Sequence, residues 1–325
     1  MSATYTIDVH LSPTEVREQM RADAVAGLLA DEKSIPPVWF YDERGSTLFD
    51  EITRLPEYYP TRSERHLLEE HAATMAELSK ADTLVELGAG SCEKTRVILD
   101  ALERNGSLAR YVPFDVSDEF LRSAASTLCD EYDELAVHLV IGDFHQHLGE
   151  IPLDGRRMVA FLGGTIGNLD PTQRRRFLFD LNCTMSSDDT LLIGTDLVKD
   201  PRRLVAAYDD AAGVTAEFNR NVLLVLNQQL GGDFDPDLFS HVAVWNEKES
   251  WIEMRLRAAT AHDVTLSGAG ITVHFAKGED LLTEISAKFT PERVCQELKD
   301  AGFVVEGMWG EDEGEFLLTL AHPFC

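Results

Sequence analysis

The chain has 325 residues, 44 % hydrophobic and 26 % charged, enough for one large domain or two ordinary ones. Its net charge of −28 argues against nucleic acid or an anionic membrane as a partner, because both need cationic patches. No window approaches the ~18 uninterrupted apolar residues of a membrane span, and the start lacks the basic and apolar regions of a secretory signal.

The first 60 or so residues precede the regular pattern. From Thr83 the chain alternates β-rich runs with helical stretches. "TLVELGAG" is expected as a strand and "KTRVILDALERN" as a helix; "RYVPFDVS" is a strand and "DEFLRSAASTLCDEY" a helix; "AVHLVIGDF" is a third strand. "RMVAFLGGTIGN" is a strand with a glycine-rich exit. "DPTQRRRFLFDLNCTM" is a helix opened by Asp170 as N-cap and Pro171 in the first turn. Within it, Arg174, Arg175 and Arg176 form the one tight basic run, expected as a solvated helix face. "TLLIGTDLV" is a fifth strand. Five strands separated by helices predict a parallel, doubly wound α/β sheet whose ligand edge lies at the strand C-termini.

From Lys199 to about Ala287 the rhythm changes. Two helical stretches, "PRRLVAAYDDAAG" and "AEFNRNVLLVLNQQL", lead to the β-rich runs "HVAVWNE", "WIEMRLRAAT", "DVTLSGAGITVHF" and "LLTEISAKF". The helix "TPERVCQELKDAGF" and a final pair of strands then complete a seven-stranded sheet. The expected organisation is a core of residues 61–198 and 288–325, and a second α+β domain of residues 1–60 and 199–287.

The glycine loop "LVELGAGSCEKT" narrows the ligand. It reads Glu86-x-Gly88-x-Gly90, and the third glycine of a dinucleotide fingerprint is replaced by Glu93. The P-loop spacing, with Lys-Ser/Thr directly after its last glycine, is also absent. An acidic-x-Gly-x-Gly loop suits a ligand with a ribose, an adenine and a cationic centre, such as S-adenosylmethionine. Lys94 in the first helical turn opposes the helix dipole and so calls for an anionic partner, such as the cosubstrate carboxylate, unless it simply reaches solvent. Asp115 in "PFDVS" is placed to accept from both ribose hydroxyls. Asp143 in "IGDF" is placed to accept from the adenine amine, with Phe144 against the ring. Singly, each aspartate also reads as a strand-end cap; three acids at the ends of successive strands point to the class I methyltransferase fold.

Long motifs in order then identify a family resemblance: "PPVWFYDERGSTLFDEITRLPEYYPTR", "LVELGAGSCEKTR", "PFDVS", "GDF", "FLGGTIGNL", "GTDLVKD", "AYDDAAGVTAEFNRNVL" and "LLTEISAKF". The chain resembles the histidine Nα-methyltransferases of ergothioneine biosynthesis, of the actinobacterial type. The resemblance implies three methyl transfers from S-adenosylmethionine to the α-amine of L-histidine, giving hercynine. It implies that Gly88, Lys94, Asp115, Asp143 and Phe144 hold the cosubstrate, with Tyr41 nearby. It implies that Tyr58, Asn168 and Tyr208 hold the amine and carboxylate, with Gly163 lining the same place, and that Glu284 and Ser286 hold the imidazole.

The residues themselves leave several choices open. One of Tyr58 and Tyr59 suits the core and the other a site, and only the resemblance selects Tyr58. Asn168 also reads as a turn residue, Tyr208 as a packing aromatic and Met254 as a core methionine that could touch the pocket. Glu284 and Ser286 are two apart, so on a strand they share a face, together with Leu282 and Lys288. A carboxylate and a hydroxyl on one face match the two ring nitrogens of imidazole. Methyl transfer to an amine needs positioning and an unprotonated nitrogen but no metal, and His145 and His147 beside Asp143 lack a third ligand type. Weaker alternatives are N-methylation of another, aromatic amino acid and a non-catalytic module that binds S-adenosylmethionine. Five scattered cysteines without metal spacing fit reduced thiols in a cytoplasm, and the protein is expected to be a monomer.

Overall fold

The computed structural model describes residues 5–90, 92, 94–132, 134–311 and 314–324, without the side chains of Glu119 and Phe120. Glu93, whose identity argued against a dinucleotide, lies outside the described residues. The chain divides into two compact units, each discontinuous in sequence.

The first unit comprises the chain up to Leu11, Pro60–Val198 and Phe289–Cys325. Its strands are β1 (Thr6–Val9), β2 (Thr83–Leu87), β3 (Arg110–Asp115), β4 (Ala136–Ile141), β5 (Arg157–Phe161), β6 (Thr190–Asp196), β12 (Phe303–Gly310) and β13 (Phe316–Pro323). They form one sheet in the order β1-β4-β3-β2-β5-β6-β13-β12. Strands β1 to β6 pair in parallel, whereas β13 runs antiparallel to β6 and to β12. Strands β2, β5 and β6 are buried along their whole length, as an inner parallel strand covered on both faces must be. Helices α3 (Pro60–Ser79), α4 (Thr95–Arg104), α5 (Asp118–Glu131), α6 (Pro171–Thr184) and α9 (Pro291–Asp300) accompany the sheet. The predicted caps are in place: Asp170 accepts from the amides of Thr172 and Gln173, and Thr290 from that of Arg293.

Two expectations need correction here. Among the described residues the sheet has eight strands rather than seven, because Thr6–Val9 adds a parallel edge strand beside β4. The chain up to Leu11 therefore belongs to this unit and not with the insertion. The second concerns the basic run of α6. Arg175 and Arg176 are exposed, but Arg174 is fully buried. Its guanidinium donates to Glu297 at 2.9 and 3.1 Å and to the Leu169 carbonyl at 2.5 Å, and lies over the Phe289 ring. A buried guanidinium needs all of these partners, and together they tie α6 to α9.

The second unit comprises Ser12–Tyr59 and Lys199–Lys288. It holds α1 (Pro13–Leu28), α2 (Glu43–Thr53), α7 (Pro201–Tyr208) and α8 (Val214–Leu230). Its strands are β7 (Phe239–Asn246), β8 (Trp251–Ala258), β9 (His262–Leu266), β10 (Ile271–Phe275) and β11 (Asp280–Ala287). An antiparallel sheet β11-β8-β7 and a hairpin β9-β10 share an apolar core with α8, which packs against α2. The run "DVTLSGAGITVHF" is thus two strands, with its Ser-Gly-Ala-Gly centre as the turn. The pairing of β11 with β8 shifts between Leu282 and Glu284. This bulge interrupts the strict alternation, so Leu282 does not continue the face of Glu284, Ser286 and Lys288 as expected.

Candidate active site

In the first unit, the loop after β2 is held from below and open above. Gly88 and Gly90 have φ of +72° and +50°, a left-handed backbone that glycine adopts without strain. A Cβ built on either would meet nothing within 4 Å. The Gly90 amide donates to Asp115 Oδ2 at 3.1 Å and the Ser117 amide to Asp115 Oδ1 at 3.0 Å. Each carboxylate oxygen can accept a further bond, so Asp115 anchors the loop while keeping acceptor capacity. Burial pushes its pKa up, and these amide donors oppose the shift.

Glu86 faces the other way. It is buried at the end of β2, accepting from Tyr111 Oη at 2.6 Å and from Thr95 Oγ1. Burial raises its pKa to about 7, against the pull of those two hydroxyls and of Lys94. Tyr111 Oη also lies 3.2 Å from Cys92 Sγ, and the buried Cys92 thiol is pushed well up in pKa. Glu86 is therefore tied to residues beneath the loop.

Lys94 has an anionic partner within the protein. Its ammonium pairs with Glu64 of α3, a fully buried carboxylate that also accepts from the Gly163 amide at 2.8 and 2.9 Å. Glu64 thus joins the start of α4 to the exposed Gly163 beyond β5, where φ is +75°. No sequence pattern marked Glu64, because its partners lie 30 and 99 residues away. Asn168, half-buried, ends the turn Thr165–Asn168, which is one residue before the carbonyl gripped by Arg174.

Asp143 follows β4 and accepts from the His145 amide at 2.8 Å and from Gln146 Nε2 at 3.2 Å. The half-buried Phe144 ring meets Phe161 and Phe177 edge-on, with centroids 5.4 and 5.7 Å away. Among the described residues no group of three or more His, Cys, Asp or Glu side chains is arranged to hold a metal.

The second unit gathers the remaining candidates. Tyr58 and Tyr208 are both buried, with rings T-shaped at 6.2 Å. Tyr59 is buried too, but it accepts from Lys199 at 2.8 Å and lies beneath Lys199 and Arg203. Tyr41 is half-buried and meets Phe49 and Phe218 edge-on at 5.7 Å. On β11, Ser286 Oγ lies 2.7 Å from Tyr208 Oη. Glu284 pairs across the sheet with Met254, which is 2 % exposed.

Glu284 is itself 8 % exposed, and no described residue hydrogen-bonds its carboxylate. Burial raises its pKa to about 7, opposed by the charge of Lys288. Behind this cluster, His241 Nε2 donates to the Tyr208 carbonyl at 2.8 Å, so His241 Nδ1 accepts from Asn219 Nδ2 at 2.8 Å. Thr283 Oγ1 donates to Asn219 Oδ1 at 2.7 Å. This buried relay fixes the end of α7 that carries Tyr208. It escaped sequence reasoning because each member reads singly as an ordinary polar residue.

The model of a family described as "Histidine-specific methyltransferase, SAM-dependent" matches residues 20–323. A histidine N-alpha-methyltransferase of Mycolicibacterium smegmatis is 52 % identical over 318 residues, covering 98 % of this chain and 99 % of that protein. The Mycobacterium tuberculosis protein of the same name is 52 % identical over 312 residues, covering 96 % and 97 %. An S-adenosylmethionine-dependent methyltransferase from Clostridium acetobutylicum shares the fold, with a TM-score of 0.50, 11 % identity, and coverage of 86 % of this chain and 99 % of that one. The chain belongs to the S-adenosylmethionine-dependent, histidine-specific methyltransferase family.

Proposed function

We propose that the protein transfers three methyl groups from S-adenosylmethionine to the α-amine of L-histidine, giving hercynine, the first step towards ergothioneine. Family membership supports the cosubstrate and the amino acid; the resemblance of the motifs supports the number of methyls and the product. The observation that carries the substrate assignment is Glu284, a buried carboxylate without a hydrogen-bond donor from the described residues, two residues from a buried hydroxyl. A buried polar group in that state calls for a ligand donor, and a ring N–H beside a second ring nitrogen supplies one. Phenylalanine or leucine in its place would leave the carboxylate unpaired, which costs binding.

In this reading Gly88, Gly90 and Asp115 take the ribose side of the cosubstrate, Asp143 and Phe144 the adenine, and Lys94 its carboxylate end. Tyr58, Asn168, Tyr208 and Gly163 take the amine and carboxylate of histidine, with Met254 against the ring and Tyr41 near the transferred methyl. Glu86 serves as a positioning residue for the loop. In each cycle the ammonium form of the substrate first gives up one proton, the free amine attacks the methyl carbon, the carbon–sulfur bond breaks and S-adenosylhomocysteine leaves; the third attack gives a quaternary ammonium with no N–H left. Positioning of the two reactants supplies the greater part of the rate gain, up to ~7–11 kcal/mol.

The test is mass spectrometry of purified protein incubated with S-adenosylmethionine and each common amino acid in turn. Histidine alone should gain methyls, ending at three. Methylation of a different amino acid would overturn the roles of Glu284 and Ser286, and no methylation at all would leave only a binding module.

A further inference from the structure

The seat of Glu64 is assembled from three separate stretches of the first unit. Both of its oxygens accept from the Gly163 amide, at 2.8 and 2.9 Å. Oε2 also takes the Lys94 ammonium at the start of α4. Oε1 lies over Gly194, inside β6, where a built Cβ would come within 2.1 Å of it. A glycine inside a strand weakens it and marks the close approach of another group; here that group is the carboxylate. Glu64 is fully buried, so any effect on a ligand passes through the groups it holds.

Those groups face outward. Gly163 is exposed, and a Cβ built on it would stand 3.7 Å from Lys94 Nζ, so the ammonium lies beside the glycine-rich exit of β5. The Lys94 side chain keeps 20 % of its surface exposed, and among the described residues Glu64 is its one bonding partner. An ammonium has three donors, so N–H groups remain for a ligand. A lysine at a helix N-terminus opposes the dipole, and its flexible stem is drawn to solvent when nothing fixes it. Glu64 fixes it, and the stem is ordered on folding rather than on binding. One buried carboxylate therefore sets the distance between the ammonium assigned above to the cosubstrate and the glycine assigned above to histidine.

We propose that Glu64 is a positioning residue for the cosubstrate, holding the Lys94 ammonium against Gly163 and aimed at the carboxylate of S-adenosylmethionine. This rests on the placement of that carboxylate at Lys94 made above and deepens it. The adenosine end, assigned to Asp115, Asp143 and Phe144, is held without help from Glu64. The contribution of Glu64 is thus confined to ligands that carry the amino-acid end.

The test is calorimetric titration of the full-length protein with S-adenosylhomocysteine and with 5′-methylthioadenosine, which keeps the adenosine and the thioether but has no amino-acid end. In Glu64→Gln the amide oxygen still accepts from Gly163, while the charge that holds Lys94 is gone. S-adenosylhomocysteine should bind roughly tenfold or more weakly, and 5′-methylthioadenosine as in the wild type. Equal losses for the two ligands would reduce Glu64 to a structural role and overturn the inference. Unchanged or tighter binding of S-adenosylhomocysteine would overturn it too, because Glu64 would then give Lys94 no help or withhold it from the ligand. Gly194→Ala crowds the carboxylate out of its seat with its charge intact. The same split between ligands should appear, and this variant decides should Glu64→Gln not fold. Lys94→Met separates the two ways of failing. A preference for S-adenosylhomocysteine lost there but kept in Glu64→Gln overturns the inference alone. A preference kept in Lys94→Met overturns the placement of the carboxylate, and this inference with it.

Discussion

Asp115 anchors the glycine loop and, in the proposed function, also receives the ribose. Its two oxygens hold the amides of Gly90 and Ser117 and still have lone pairs to offer. Asp115→Ala removes the loop anchor and the proposed ribose acceptor together. Loss of charged hydrogen bonds of this kind costs about 2–3 kcal/mol, so calorimetry should read a Kd for S-adenosylmethionine roughly 30- to 150-fold weaker. An unchanged Kd would remove Asp115 from the site. Glu86 makes a different prediction. Its pKa is raised from 4.5 to about 7, so between those values the folded chain keeps a proton that the unfolded chain releases. The stability tied to that proton is full below about 4.5 and lost as the pH rises through 7. Glu86→Gln cannot titrate, so its melting temperature relative to the wild type should climb with pH across this window. The change amounts to about 1–3 kcal/mol, and a pH-independent difference would refute the assignment.

At the scale of elements, Arg174 decides how α6 sits against α9. Removing one partner of a buried ion pair strands the other, at about 3 kcal/mol. Glu297 keeps a second bond from Arg293, so the low end of the usual range applies. Arg174→Met should therefore lower the unfolding free energy in urea by about 3 kcal/mol, whereas Arg175→Met, on an exposed side chain, should change it little. The pair also marks a limit of sequence reading. The helix itself was legible, because Asp170-Pro171 and the apolar spacing are local signals. The burial of Arg174 was not, because Glu297 is 123 residues away. Edge strand β1 was hidden for the same reason: four residues carry little pattern, and their partner begins at Ala136. The bulge in β11 escaped because it depends on the register with β8. In the candidate site, the glycine loop and the strand-end aspartates could be read from spacing. Glu64 and the His241–Asn219–Thr283 relay could not, since their meaning lies in what they touch.

Charge acts on the whole molecule. With a net charge of −28, the folded chain works against its own repulsion, and added salt screens it. The melting temperature should rise by roughly a few degrees between low and about 0.5 M sodium chloride. A fall would mean that specific ion pairs outweigh the general field. Among the described residues no helix is long and apolar enough to cross a membrane. The order of strands has a consequence for how the protein is made. Strand β13, which lies between β6 and β12, is the last strand of the sheet in the chain. During synthesis β6 must keep a bare edge until Phe316–Pro323 has left the ribosome. The first unit therefore closes its sheet only after every other strand has been made. A nascent chain stalled before Phe316 would present β6 as a sticky template to its neighbours, even though the glycine loop and its aspartates had already emerged.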